Sequence, residues 1–339
     1  MKILRQQPLK AFNTFGINAV ADYFVILETE DDYRQLAGSA LTKEHPFFIL
    51  GGGSNVILPD LYEGLVVHPA NVGVRLLSDD GDTLLVEAQA GTVWADFVDY
   101  CIDHEWHGLE NLARIPGCVG AAPVQNVGAY GREAKDVVAQ VHYYDLADAS
   151  ERWIEGADCQ FAYRHSIFKG ALRGRCLIDR VRFRLQRRFT PCLTYKGLSN
   201  ALQQRQIEAP TARQLADVVA AIRADKLPDP EQIGSAGSFF KNPVVSPQTY
   251  RSLKEQYPDL VAFENADQTY KLAAGWLIEQ CGWKGRALGP VAVYDRQALV
   301  LINRGGCSAA DVRHLADTII ADVKARFGVS LDCEAIFVQ

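Results

Sequence analysis

FILGGGSNVIL, residues 48–58, sets three consecutive glycines before Ser-Asn. Such a run brings bare main chain against something, and phosphate oxygens are its commonest partner. Two nucleotide-binding patterns fail on spacing. A dinucleotide fingerprint opens a helix with G-x-G-x-x-G, whereas the third position after Gly53 is Val56. A P-loop needs Gly-Lys-Ser/Thr, and Gly-Lys occurs nowhere in the chain. Val56, Ile57 and Leu58 are apolar, largely β-branched and closed by Pro59, so the glycines should join two strands. Any anion would then sit on the turn's own N–H groups, without a helix dipole. A tight turn with no ligand is the alternative.

The chain has 339 residues, 48% of them hydrophobic, enough for about two domains with real cores. A net charge of −6 and the lack of a basic tract argue against nucleic acid as a partner. The opening residues lack an apolar leader, and no run approaches the ~18 apolar residues of a membrane helix, so a cytoplasmic protein is expected. Eight cysteines at 101, 118, 159, 176, 192, 281, 307 and 333 form no C-x-x-C pair. They read as small reduced hydrophobes, not as a disulfide frame or zinc ligands. The Asp103-His104-Glu105-x-His107 cluster lacks the i, i+4 histidines of a zinc protease helix, so no metal is expected.

Short apolar strands are expected at 23–27, 47–50 and 64–67, with a helix after Thr29. Strands at 83–89 and 140–145 follow, with a helix from Thr92. Thr211 and Gln214 make a capping box for a helix carrying Leu215, Val218, Val219 and Ile222, and Pro228 stops it. Helices at 266–281 and 308–327 flank a strand at 298–303. A last strand, 331–338, is free to return elsewhere. The pattern is a mixed α+β fold.

Four more stretches stand out. IPGCVGAAPVQNVGAYG, 115–131, is a rigid, sparsely branched loop against which a flat ligand could lie. YRHSIFK, 163–169, sets Arg164 beside Tyr163, suited to a carboxylate, although a surface salt bridge is the commoner fate of an arginine. GSAGSFFKNP, 234–243, surrounds Ser238 with small residues but supplies no G-x-S-x-G pattern or obvious histidine, which suits a proton donor better than a nucleophile. Glu334 is a lone acid in the apolar segment CEAIFV, 333–338, where a solvated edge position is the alternative.

GGGSN, PGxVGxxPxQNxGAYG, YRxSxFK, IRxxKLPDP, GSxGSFFKNP and a late glutamate follow one another here in an order similar to that of the UDP-N-acetylenolpyruvoylglucosamine reductases. The resemblance spans nearly the whole chain. It implies an α+β fold of the vanillyl-alcohol-oxidase/PCMH FAD-binding type. Residues 1–67, joined by 330–339, would form one FAD-binding subdomain, 68–227 a second, and 228–329 a substrate-binding domain. It implies FAD held by Gly51, Gly52, Gly53, Ser54, Asn55, Gly117, Gly120, Gly128 and Arg223, with the pyrophosphate on the glycine turn.

The same resemblance implies Arg164, Ser238 and Glu334 as the catalytic set, and Tyr163, Tyr195, Lys226, Asn242 and Gln297 as contacts to a UDP-sugar. Tyr195 matches the lid tyrosine of one branch of the family. NADPH would reduce FAD, and flavin N5 would pass hydride to the vinyl carbon of an enolpyruvyl ether. Arg164 would then stabilise charge building toward the carboxylate, and Ser238 would supply the proton. The sequence holds no second dinucleotide fingerprint, so NADPH and sugar should use one cleft in turn. A monomer without nucleic-acid or membrane partners is expected. His165 departs from the acid or other polar residue expected there. Another flavin oxidase and a non-catalytic UDP-sugar binder are the competing readings; KLPDP with GSxGSFFKNP argues against the first, and the intact Arg164, Ser238 and Glu334 against the second.

Overall fold

Along Cys176–Gln186, Val181, Phe183 and Leu185 are fully buried while Arg184 and Gln186 are exposed, the two-residue period of a strand with one face on a core. This strand is the middle of a five-stranded antiparallel sheet in the order Glu151–Glu155, Val138–Asp145, Cys176–Gln186, Thr83–Gln89, Val74–Asp79. Helix Trp94–Asp103 covers it, burying Trp94, Phe97, Val98, Cys101 and Ile102. Phe97 and Phe183 meet with ring centroids 4.8 Å apart. Helices Lys196–Gln204 and Ala212–Lys226 add Leu198, Leu202, Leu215, Val218 and Val219 to the same core. A second sheet, in the order Lys2–Pro8, Val20–Leu27, Leu61–Pro69, Phe47–Ile49, packs under helix Glu30–Gly38 through Tyr33, Leu36 and Ala37.

The structure is a computed structural model describing residues 1–230 and 232–339. The chain divides into two compact units: residues 1–7, 21–52 and 62–224 form one, and 8–20, 53–61 and 225–339 the other. In the second unit, Gly234–Ser238, Val300–Asn303, Val291–Val293 and Ala287–Leu288 form an antiparallel sheet. Helix Ala309–Phe327 buries Val312, Leu315, Ile319 and Val323; a Ser308–Asp311 capping box starts it, and left-handed Gly328 ends it. The N-terminal segments are built into this unit. Ser235 N donates to Thr14 O (3.0 Å), Thr14 Oγ1 to Ser235 O (2.6 Å), and Asn303 Nδ2 to Phe15 O (2.9 Å). Ile336–Phe337 pairs in parallel with Val56–Ile57.

The expected strands at 83–89 and around 23–27, 47–50, 64–67 and 140–145 are present. So is the capping box: Thr211 N donates to Gln214 Oε1 (2.9 Å) and Gln214 N to Thr211 Oγ1 (3.2 Å). The helix expected over 266–281 is interrupted by a strand. Tyr270–Leu272 lies between Val244–Val245 and Ala262–Glu264, and only Ala274–Gln280 is helical. A polar hairpin decides this, since Asn265 N donates to Thr269 O (2.9 Å) and Asp267 Oδ1 accepts from Thr269 N (3.1 Å). The last strand is shorter than expected, Ile336–Phe337, preceded by a single bridge between Phe240 and Cys333. The expected cut at 67/68 falls inside the first unit, because Leu61–Pro69 belongs to its sheet.

Asp145 shows how the first unit fastens its loops. Its carboxylate, fully buried, accepts Arg175 Nε and Nη2 (both 2.8 Å) and Ala147 N (3.0 Å). The Arg175 hydrogen bonds hold its pKa below the ordinary value against the opposing effect of burial. A depressed folded-state pKa contributes stability above the unfolded value, about 3.9, and loses it as pH falls through the folded value. Asp145→Asn should therefore lower stability by about 1–2 kcal/mol at pH 7. The difference from the parent should shrink as the medium is acidified below about pH 4, measured by denaturant unfolding at a series of pH values.

Candidate active site

Glycines 51–53 do join two strands, Phe47–Ile49 and Val56–Ile57. In the first unit a Cβ on Gly52 would lie 2.8 Å from Gly117 Cα, and one on Gly51 would lie 2.5 Å from Cys118 Sγ. The two glycine-rich loops thus touch as bare backbone. Burial raises the pKa of the Cys118 thiol, opposed by the N–H groups of Gly52 and Ala121. In the second unit Gly53 has φ +61°, and a Cβ there would lie 2.0 Å from Phe12 O. Asn55 Nδ2 donates to Glu334 O (3.2 Å), and Ile336 N to Asn55 O (3.0 Å). The N–H groups of Gly51 and Gly53 have no protein acceptor among the described residues, as an anion-binding turn requires.

Gly120 and Gly128 serve packing. Gly120 N donates to Ala90 O (2.9 Å), and a Cβ on Gly120 would meet Ala90 Cβ at 2.6 Å. A Cβ on Gly128 would meet Glu133 Cγ at 2.8 Å and Arg132 O at 3.0 Å across the hairpin, and Arg164 Nη2 donates to Gly128 O (3.0 Å).

Arg164 rides on a tight turn. Ala162 and His165 exchange both backbone hydrogen bonds (3.0 and 3.1 Å), with Tyr163 and Arg164 between them and Arg164 at φ +54°. A non-glycine residue there is strained, and the surroundings must hold it. Ser166 Oγ, fully buried, donates to Val124 O (2.6 Å), and Asn126 Nδ2 donates to Ala162 O (3.2 Å). Asn126 is itself fully buried at φ +47°, and accepts Lys135 N on its Oδ1 (3.0 Å). Neither Asn126 nor Ser166 is assigned a role by the sequence, although both stand inside its motifs. The Tyr163 ring lies 5.4 Å from the Arg164 guanidinium carbon. His165 is exposed, with its ring beside Gly170.

Tyr195 precedes helix Lys196–Gln204, exposed by 38%. Gly197 gives its ring room, since a Cβ there would meet Tyr195 Cε1 at 2.7 Å. The ring meets Tyr130 edge-on at 5.2 Å. Arg223 Nε donates to Arg114 O (3.1 Å), and the guanidinium hydrogen-bonds the Tyr130 hydroxyl. Burial lowers the Arg223 pKa against that tyrosine's opposing effect, and no carboxylate pairs with it among the described residues. A partly buried cation without an acid favours an anionic ligand.

In the second unit Ser238 ends a bulged strand next to left-handed Gly237 (φ +64°). Its hydroxyl, half-buried, has no hydrogen-bond partner among the described residues, so no histidine activates it. Glu334 N donates to the carbonyl of the next residue, Phe239 (2.7 Å), which draws Glu334 alongside this strand. Glu334 is 9% exposed, so the solvated edge position is excluded. Asn242 and Gln297 meet the start of helix Ala274–Gln280: Asn242 Oδ1 accepts Ala274 N (2.9 Å), and Gln297 Oε1 lies 3.0 Å from the place of a Gly275 Cβ. Lys226 is the last residue of its helix, half-buried. Among the described residues no group of three or more His, Cys, Asp or Glu is placed to hold a metal.

Residues 229–338 match the family model of the UDP-N-acetylenolpyruvoylglucosamine reductase C-terminal domain, and residues 21–156 match an FAD binding domain. The reductase of Bordetella pertussis is 48% identical over 98% of this chain and 94% of its own length. That of Bdellovibrio bacteriovorus is 46% identical over 99% of both. The chain belongs to the UDP-N-acetylenolpyruvoylglucosamine reductase family. Its fold matches the crystal structure of the Thermus caldophilus member (TM-score 0.66, 22% identity, 100% of this chain and 98% of that one). A solvent-stable cholesterol oxidase shares the fold more distantly (TM-score 0.52, 10% identity, 98% and 86%). Both place the chain in the α+β FAD-binding class expected from the sequence. It is an oxidoreductase and a flavoprotein, and FAD is its cofactor. The structure fits that cofactor in its bare glycine turn with open N–H groups and in Arg223.

Gly52→Val should give protein with less than about a tenth of the parent's bound flavin, because even the first carbon of the new side chain collides with Gly117. The ratio of flavin to protein absorbance measures it, with circular dichroism to verify folding. Stoichiometric FAD in folded protein would show that the turn does not bind it.

Proposed function

We propose that the protein reduces the enolpyruvyl ether of UDP-N-acetylglucosamine to UDP-N-acetylmuramate at the expense of NADPH, a step in making peptidoglycan precursors. Both reactants are cytoplasmic metabolites, which puts the reaction there. FAD, held by the glycine turn and Arg223, would supply the hydride chemistry that links NADPH to the terminal vinyl carbon. The observation that carries the reading is Arg164: a cation held in a strained, three-point-fastened turn is preorganised for one anionic group.

Hydride addition at the terminal carbon builds negative charge on the adjacent carbon and into a carboxylate that is already anionic. Arg164 opposes that charge, with two N–H groups suited to two carboxylate oxygens. Glu334, buried, is the third member of the catalytic set in this reading. Ser238 donates its proton to the adjacent carbon and so fixes the stereochemistry. Its hydroxyl, unengaged among the described residues, is available for that transfer.

Tyr163, Lys226, Asn242 and Gln297 bind the sugar nucleotide, and Tyr195 closes over it, which puts the chain in the lid-tyrosine branch of the family. Asn242 keeps its amide N–H₂ for the ligand, since its Oδ1 is committed to Ala274 N. NADPH and the sugar occupy one cleft alternately, so the kinetics are ping-pong, with the protein acting as a monomer.

Stopped-flow absorbance separates the two halves. Ser238→Ala should leave NADPH-driven bleaching of the flavin within about twofold of the parent, since a serine proton takes no part in it. Reoxidation by the enolpyruvyl sugar should slow by the ~10²–10⁴-fold typical of losing a positioned acid. Ser238→Cys should recover part of the loss. Equal slowing of both halves would reduce Ser238 to shaping the pocket, and no slowing would assign the proton to water or Glu334.

A further inference from the structure

Asn111 stands in the turn Glu110–Leu112, 2% exposed, and uses its Nδ2 amide twice. It donates to Tyr130 O at 2.7 Å and to Cys192 O at 2.9 Å. These carbonyls belong to two different loops, the glycine-rich stretch ending at Gly131 and the segment that carries Tyr195. Two carbonyl oxygens repel each other and cannot pair directly. A group with two hydrogens on one nitrogen joins them, and a buried carboxamide is a compact way to provide it.

Tyr130 and Gly131, at φ +50° and +88°, are the turn of a short hairpin in which Gly128–Ala129 pairs with Arg132–Glu133, so the turn keeps its own shape and Asn111 ties it to the Cys192 segment. A Cβ on Gly131 would lie 2.3 Å from Thr194 Oγ1 and 3.5 Å from Tyr195 N, so the segment lies directly on the glycine. Ser199 Oγ donates to Leu193 O (2.7 Å), the carbonyl next to that of Cys192, and so ties the segment to the helix that follows. Thr194 and Tyr195 come directly after these two fastened carbonyls, and Tyr195 leans its ring on Tyr130.

We infer that Asn111 is a positioning residue for sugar-nucleotide binding: by clasping Tyr130 and Cys192 it sets the place from which Tyr195 closes on the ligand. This rests on the reading of Tyr195 as the lid. Asn111 itself reaches no reacting group. Losing it unties the Cys192 segment from the Tyr130 hairpin, so that Tyr195 must be ordered anew at each binding event, which weakens sugar binding. The pairing of Gly128–Ala129 with Arg132–Glu133 still holds Tyr130 in place beside Arg223.

The test uses flavin-loaded enzyme without NADPH, so that the enolpyruvyl UDP-sugar binds but does not react, with the dissociation constant read by calorimetry. In Asn111→Asp, oxygen replaces the donating nitrogen opposite both carbonyls. It should weaken the sugar at least tenfold while flavin content and NADPH reduction of the flavin stay within twofold. Asn111→Ser, smaller and neutral with one donor, should fall between and stands in if the aspartate variant does not fold. Tyr195→Ala should also weaken binding, and Asn111→Ser with Tyr195→Ala should be no worse than Tyr195→Ala alone. Parent-like binding in folded Asn111 variants, beside a weakened Tyr195→Ala, would overturn the inference and leave the lid reading standing. Additive losses in the double variant, or loss of flavin in both Asn111 variants, would show that Asn111 acts elsewhere. Unchanged binding in Tyr195→Ala would remove the lid, and the inference with it.

Discussion

No side chain fits at Gly52. The 2.8 Å between its would-be Cβ and Gly117 Cα means that two loops of the first unit meet only as naked backbone. The loop beginning at Gly117 is fastened from there onward. Trp94 N donates to Gly117 O (3.0 Å), Val119 N to Thr92 O (2.9 Å) and Gly120 N to Ala90 O (2.9 Å). With its near end fixed to helix and sheet, its far end presents Gly128 O to Arg164 and Tyr130 O to Asn111. A methyl group at Gly52 would therefore press on the loop that also meets Arg164 and Asn111.

The electrostatics follow the same economy. Arg223 is lodged among a carbonyl, a tyrosine hydroxyl and apolar surface, with no acid to neutralise it among the described residues. Such an arrangement costs stability in the free protein and is repaid only by an anion. Arg164 is fixed by geometry: its turn is stapled to the glycine-rich loop by Ser166 Oγ donating to Val124 O and by Asn126 Nδ2 donating to Ala162 O, and its own Nη2 donates to Gly128 O. Ser238 is the opposite case, a hydroxyl without a hydrogen-bond partner among the described residues, beside a left-handed glycine.

Much of this was legible because the signals are local. The capping boxes at Thr211 and Ser308, Gly328 as a helix terminator, and the strand at 83–89 depend on residues a few positions apart, and the ordered motifs pointed to the family. Tyr270–Leu272 was misread as helix because its spacing merges with that of Ala274–Gln280, and only the hairpin at Asn265–Asp267–Thr269 and a strand at each side separate them. The unit boundaries were out of reach for a deeper reason. They depend on Thr14 meeting Ser235 and Val56 meeting Ile336, pairings more than 200 residues apart that leave no periodic trace. Asn111, Asn126 and Ser166 escaped assignment because each donates to backbone carbonyls, whose partners a sequence does not name.

The interleaving of the two units bears on how the molecule can come into being. Thr14, Phe15, Val56 and Ile57 meet Ser235, Asn303, Ile336 and Phe337, partners more than 200 positions along the chain. The second unit therefore closes only when such distant stretches have met, a high-contact-order arrangement that makes its completion a cooperative event. It also means that the stretch recognisable as a C-terminal domain, 229–338, does not hold the whole second unit, because the strand that Ile336 and Phe337 pair with, Val56–Ile57, lies outside it.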